Sequence, residues 1–104
     1  MAVELVSETF APHVGEAFTA RLQSGETFEL VLTDCNETQQ GDPDELRERI
    51  GRVPFSLLFH SADRDRFAPQ QIVSLTHPEL GELELFLVPL GPDERGMRYE
   101  AVVN

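Results

Sequence analysis

A chain of 104 residues, 40% apolar and 26% charged, reads as a single folded domain spanning 1–104, large enough for one core and short of any membrane-spanning apolar run. Nineteen acidic residues against eight basic ones give a net charge of −11, which argues against nucleic acid or anionic membrane as a partner, because both need basic patches to displace counterions. The single Cys35 cannot form an intramolecular disulfide, and Met1 to Glu4 has neither the basic start nor the apolar block of a secretion signal, so the expected compartment is the cytoplasm.

In chain order, Leu5 to Gly15 can open with a short helix capped by Ser7, with Phe10 and Val14 on one face. Pro12 limits it to a turn or two, since an interior proline costs about 3 kcal/mol relative to alanine. From Glu16 to Leu32, Phe18, Ala20 and Leu22 alternate with polar residues. Ser24-Gly25-Glu26 then turns the chain into a strand presenting Phe28, Leu30 and Leu32, which is a hairpin pattern. Asp42-Pro43-Asp44-Glu45 supplies a cap, a first-turn proline and an early acid, predicting a two-turn helix with Leu46 and Ile50 on one face and Gly51 closing it. Pro54 opens a buried strand, Phe55 to His60. The segment from Ser61 to Gln70 reads as a loop with charges of alternating sign and Phe67 as its anchor.

From Gln71 to Asn104 the pattern is three antiparallel strands separated by proline and glycine turns at His77 to Gly81 and Gly91 to Gly96. Taking Pro78 to Gly81 as a four-residue loop pairs His77 with Glu82. Ile72, Ser74 and Thr76 then share a face with Leu83, Leu85 and Leu87, and the opposite face carries Val73, Leu75, Phe86 and Val88. Two largely apolar faces call either for closure of the sheet on itself or for a second subunit, with a symmetric homodimer as the simplest assembly. The expected architecture is mainly β: a small, partly open barrel or sandwich of about six antiparallel strands with one or two short helices.

Phe55-Ser56-Leu57-Leu58-Phe59, Glu84-Leu85-Phe86-Leu87-Val88-Pro89 and Gly96-Met97-Arg98-Tyr99-Glu100-Ala101 are the most distinctive stretches. On these the chain, from Glu8 onward, resembles a family of small bacterial proteins classed as a domain of unknown function. The resemblance implies a compact β-rich unit and an association with phage-tail-like or tail-collar-type genes. It brings no catalytic residues.

Chemistry-bearing residues are few. His13, His60 and His77 with Cys35 or a carboxylate could supply metal donors, but no CxxC, HxH or HExxH spacing occurs, so neither metal nor cofactor is expected. Ser56, Ser74 and Cys35 lack the strained elbow of an activated nucleophile, and no catalytic residue is assigned. Arg98 and Tyr99 are residue types enriched at interface anchors; simple alternation, with Tyr99 in the core and Arg98 paired to Glu100, is the favoured account. Phe86 and Val73 mark the candidate association face, and Arg64 and Arg66, with His60 and Tyr99, a candidate barrel mouth. The expected function is a non-enzymatic protein-binding or assembly module, with a small-molecule-binding or catalytic barrel as the alternative, separable by whether the interior is filled or holds a polar pocket.

Overall fold

The computed structural model describes residues 7–37, 55–62 and 68–103. The predicted helix at Asp42 to Gly51 and the charged loop with Arg64, Arg66 and Phe67 lie outside them. Six strands form a closed antiparallel barrel: β1 Ala17–Arg21, β2 Thr27–Glu37, β3 Phe55–Ser61, β4 Gln71–His77, β5 Gly81–Asp93 and β6 Gly96–Val103. Their order around the wall is β1-β2-β3-β6-β5-β4. The last ladder, between β4 and β1, is short and runs from Thr19↔Thr76 to Arg21↔Ser74.

Period-2 alternation decides what faces inward. β1 buries Phe18 and Ala20, β3 buries Phe55, Leu57 and Phe59, and β6 buries Met97, Tyr99, Ala101 and Val103. Phe18 meets Phe59 edge-on at 5.6 Å between ring centroids, and Phe28 reaches Tyr99 at 6.0 Å. Rings at such spacings fill the interior with directional contacts beyond simple area burial.

The β4–β5 register differs by one residue from the sequence expectation. His77 pairs with Gly81, not Glu82, so Val73 faces Leu85 and Leu75 faces Leu83. The loop holds only Pro78, Glu79 and Leu80, because the His77 ring accepts the Glu79 and Leu80 amides at Nδ1 (3.0 and 3.3 Å) and Gly81 leaves the turn at φ +76°. A one-residue slip exchanges the faces of one strand. Val73, Leu75, Leu83, Leu85 and Leu87 all enter the core, and the hairpin has one apolar face rather than two.

Two further departures have local causes. The last turn is tighter than Gly91 to Gly96: β5 runs on to Asp93, and Gly91, at φ +101°, sits where the β5–β6 register shifts between Pro89 and Gly91. Asp93 Oδ1 accepts the Arg95 and Gly96 amides at 2.8 and 3.2 Å and makes the turn itself. β2 continues past Leu32 to Glu37, with a shift against β3 between Leu32 and Asp34; such a bulge hides a strand's continuation from any strict alternation test.

The N-terminal segment comprises α1, Ser7–Phe10, and a single 3-10 turn, Ala11–His13. Ser7 lies within the described helix rather than capping it. Phe10 is fully buried against Phe55, with centroids 5.8 Å apart, whereas Val14 turns outward in extended conformation and is 45% exposed. Bonds from Gly15 N to Leu32 O and from Leu32 N to Glu16 O, at 2.6 and 3.0 Å, tie the segment to β2. It covers the barrel end where β1, β3 and β5 begin.

Candidate functional site

At that capped end the structure gathers His13, Glu16 and His77. Glu16 Oε1 receives His13 Nδ1 at 2.9 Å and His77 Nε2 at 2.7 Å. The rings lie 4.7 Å apart, and Phe18 packs against the His77 ring at 4.8 Å. Both histidines are buried, Glu16 is half exposed, and Glu79 Oε2 stands 3.8 Å from His13 Nε2. Hydrogen bonds from His13 first and His77 second hold the Glu16 carboxyl below its ordinary 4.5.

Donor atoms of these three side chains lie within 4.8 Å of one another, which is metal-site spacing. The hydrogen bonds make them poor ligands. His77 Nδ1 accepts two backbone N–H groups, so the ring's proton is on Nε2, the atom aimed at Glu16. A neutral imidazole that ligates through Nε2 must instead carry its proton on Nδ1, where Glu79 and Leu80 already donate. The cluster ties the N-terminal segment to the β4–β5 turn through one shared carboxylate.

A second chain crosses the outer wall. Thr33 sits at the β2 bulge and donates its hydroxyl to Leu58 O at 3.1 Å, with His60 Nδ1 at 2.8 Å from the same oxygen and His60 Nε2 at 2.8 Å from Asp93 Oδ2. The connectivity is that of a hydroxyl, imidazole and carboxylate triad. Its hydroxyl has one proton for two acceptors, Leu58 O and the Nδ1 lone pair of a neutral His60 that gives Nε2–H to Asp93, so the proton is not committed to the imidazole as an activated hydroxyl's is. The chain instead joins β2, β3 and the turn after β5. The His60 hydrogen bond, with the Arg95 amide helping, lowers the Asp93 carboxyl below its ordinary 3.8. Among the described residues no buried side-chain nitrogen or oxygen lacks a partner.

Of the residues singled out in the sequence as binding candidates, only Phe86 is a large exposed apolar group, at 50%. Val73 and Tyr99 are core residues, and the Tyr99 hydroxyl accepts the Ala68 amide at 2.9 Å. Arg98 does not pair with Glu100: it reaches Gly91 O and Leu90 O, at 3.3 and 3.4 Å, and closes the β5 bulge. Arg64 and Arg66 fall outside the described residues. Of the possible nucleophiles, Ser56 and Ser74 are half-buried strand residues, and Cys35 Sγ rests 3.8 Å from Ser7 O.

What the sequence reading missed is Ile72, 52% exposed and directly opposite Phe86 on the outer wall. Beside it, where the β1–β4 ladder ends, an open groove is lined by Arg21, Leu22, Gln23, Ile72, Ser74 and Glu84. There the Gln71 side chain replaces ladder pairing by accepting the Gln23 amide at 3.0 Å. Glu84 follows the same outward parity as Phe86 and makes no ion pair with a described residue. Arg21 leans toward Glu82 at 3.9 Å.

Residues 5–103 match the family model of a domain of unknown function, DUF6916. The chain belongs to that family. No curated protein and no solved structure matches it. No helix among the described residues is long and apolar enough to cross a membrane.

Proposed function

We propose that this DUF6916 domain is a protein-binding module whose contact face is the outer wall of β4 and β5, centred on Ile72 and Phe86. The observation that carries the reading is that cross-strand pair: two large apolar side chains, each half exposed, directly opposed on a rigid closed wall. A half-exposed aromatic beside a branched aliphatic side chain is the composition of an interface anchor, ordered before the partner arrives. Glu82 and Glu84 extend the face, and the chain's charge of −11 surrounds it. The fitting partner therefore presents an apolar centre with a basic rim. A second copy would bring two chains of charge −11 together, so the face favours a different, basic-rimmed protein over a homodimer.

The alternative of a ligand-binding or catalytic barrel calls for an interior cavity with converging polar groups. The described inward side chains are instead an apolar cluster from Phe10 to Val103. The sequence resemblance suggests a phage-tail-like assembly as the setting. A cytoplasmic location fits a chain whose single cysteine, Cys35, can form no intramolecular disulfide.

A photo-crosslinking amino acid at position 86 tests the reading, with the same group at Thr19 on the β1 wall as control. The expected result is one heterologous adduct from position 86, weakened by high salt and lost on Ile72→Asp, with none from position 19. Equal labelling at both positions, or adducts only between copies of the chain, would sink it.

A further inference from the structure

The two histidines that share Glu16 are not equivalent, and the difference lies in what their far nitrogens meet. His77 Nδ1 accepts the Glu79 and Leu80 amides. A proton placed there would remove both hydrogen bonds and set three N–H groups against one another. His13 donates from Nδ1 to Glu16, so the neutral ring turns the lone pair of Nε2 toward Glu79 Oε2 at 3.8 Å, too long for a hydrogen bond. A proton on His13 Nε2 breaks nothing and converts that lone-pair contact into a charge-assisted one. Among the described residues, the charged groups against His13 are Glu16 and Glu79, and the charged group against His77 is Glu16; Phe18 covers the other side of the His77 ring. Once His13 is charged, its ring 4.7 Å away further opposes a charge on His77.

We infer that His13 is the proton-accepting member of the cluster and His77 its fixed neutral hinge, so that mild acid tightens the N-terminal segment against the barrel end. The segment is then held by Glu16 within itself and by Glu79 from the β4–β5 turn. The clamp engages as His13 takes up its second proton and is lost when Glu16 is protonated, below its ordinary 4.5. The device is a pH-strengthened clamp on Ser7 to Glu16, the segment that buries Phe10.

Two readouts on the whole protein test it. Ring-nitrogen NMR between about pH 7.5 and about pH 5.5, the span of histidine titration, should show His13 Nε2 gaining a proton while His77 keeps its Nε2–H tautomer. Over the same span, amide exchange at Gly15 and Glu16, corrected for its intrinsic pH dependence, should slow by about twofold to fivefold, the scale of an exposed ion pair. Glu79→Gln, a change at an exposed site, should remove most of that slowing. Three results would each overturn the clamp: His77 titrating before His13, protection that stays flat or falls over the window, or an equal gain in the Glu79→Gln variant.

Discussion

The Tyr99 hydroxyl accepts the Ala68 amide at 2.9 Å, joining the middle of β6 to the segment that leads into β4. Both are buried, at 2% and 7% exposure, so Tyr99 serves as an internal strut whose ring also packs on Phe28. Tyr99→Phe keeps the ring and removes the acceptor. A buried N–H left unpaired costs about 1 to 3 kcal/mol, and urea denaturation should show that loss with an unchanged m-value. A variant as stable as the parent would show that Ala68 finds water instead.

Leu85 is 6% exposed and lies opposite Val73 in the core. Leu85→Ala should cost about 2 to 5 kcal/mol, the range for a buried large-to-small change. Phe86→Ala, one residue along and on the outer wall, should cost far less. The paired comparison in one denaturation series checks the register: similar losses at both positions would contradict it.

Two glycines with positive φ should respond very differently to alanine. At Gly81 an added Cβ meets nothing within 4 Å, so only the left-handed backbone resists, at about 1 to 2 kcal/mol. At Gly96, φ +137°, the Cβ would overlap the Ser61 carbonyl across the β3–β6 ladder. Gly96→Ala must therefore push the strands apart, and its loss should exceed that of Gly81→Ala. Equal melting temperatures for the two variants would refute this.

Acid should weaken the fold through Glu16 and Asp93, whose carboxyls are held below their ordinary 4.5 and 3.8 by hydrogen bonds from histidines. A depressed folded-state value means that the stabilisation is present above the unfolded value and lost as pH falls through the folded one. Below pH 4.5 the denaturation midpoint should fall as Glu16 and Asp93 protonate. Glu16→Gln should be less stable than the parent at neutral pH and should show a shallower acid decline. An unchanged acid slope in Glu16→Gln would place the pH dependence elsewhere.

How much was legible in the sequence follows from how local each signal is. Alternation at Phe18 and Ala20, the run Phe55 to Phe59, and the glycines at 25, 81 and 96 identified strands and turns, because side-chain parity and positive φ act within a few residues. The bulges at Thr33 and Leu90 broke that parity, and the continuation of β2 through Cys35 went unread. The β4–β5 register turned on a single residue: a ring nitrogen of His77 accepts two amides and shortens the loop, which turns Val73 inward and Ile72 outward. No spacing rule contains that hydrogen bond, and with it moved the whole candidate face.

The sequence by itself determined the mainly β class and the net charge of −11, since alternation and composition act through short-range geometry and simple summation. Only the tertiary structure decided the closure of the barrel, the sharing of Glu16 between His13 and His77, and the opposition of Ile72 to Phe86. Each of those depends on residues 14 to 61 positions apart meeting at hydrogen-bond or cross-strand distance, and such meetings are set by register and closure rather than by neighbours along the chain.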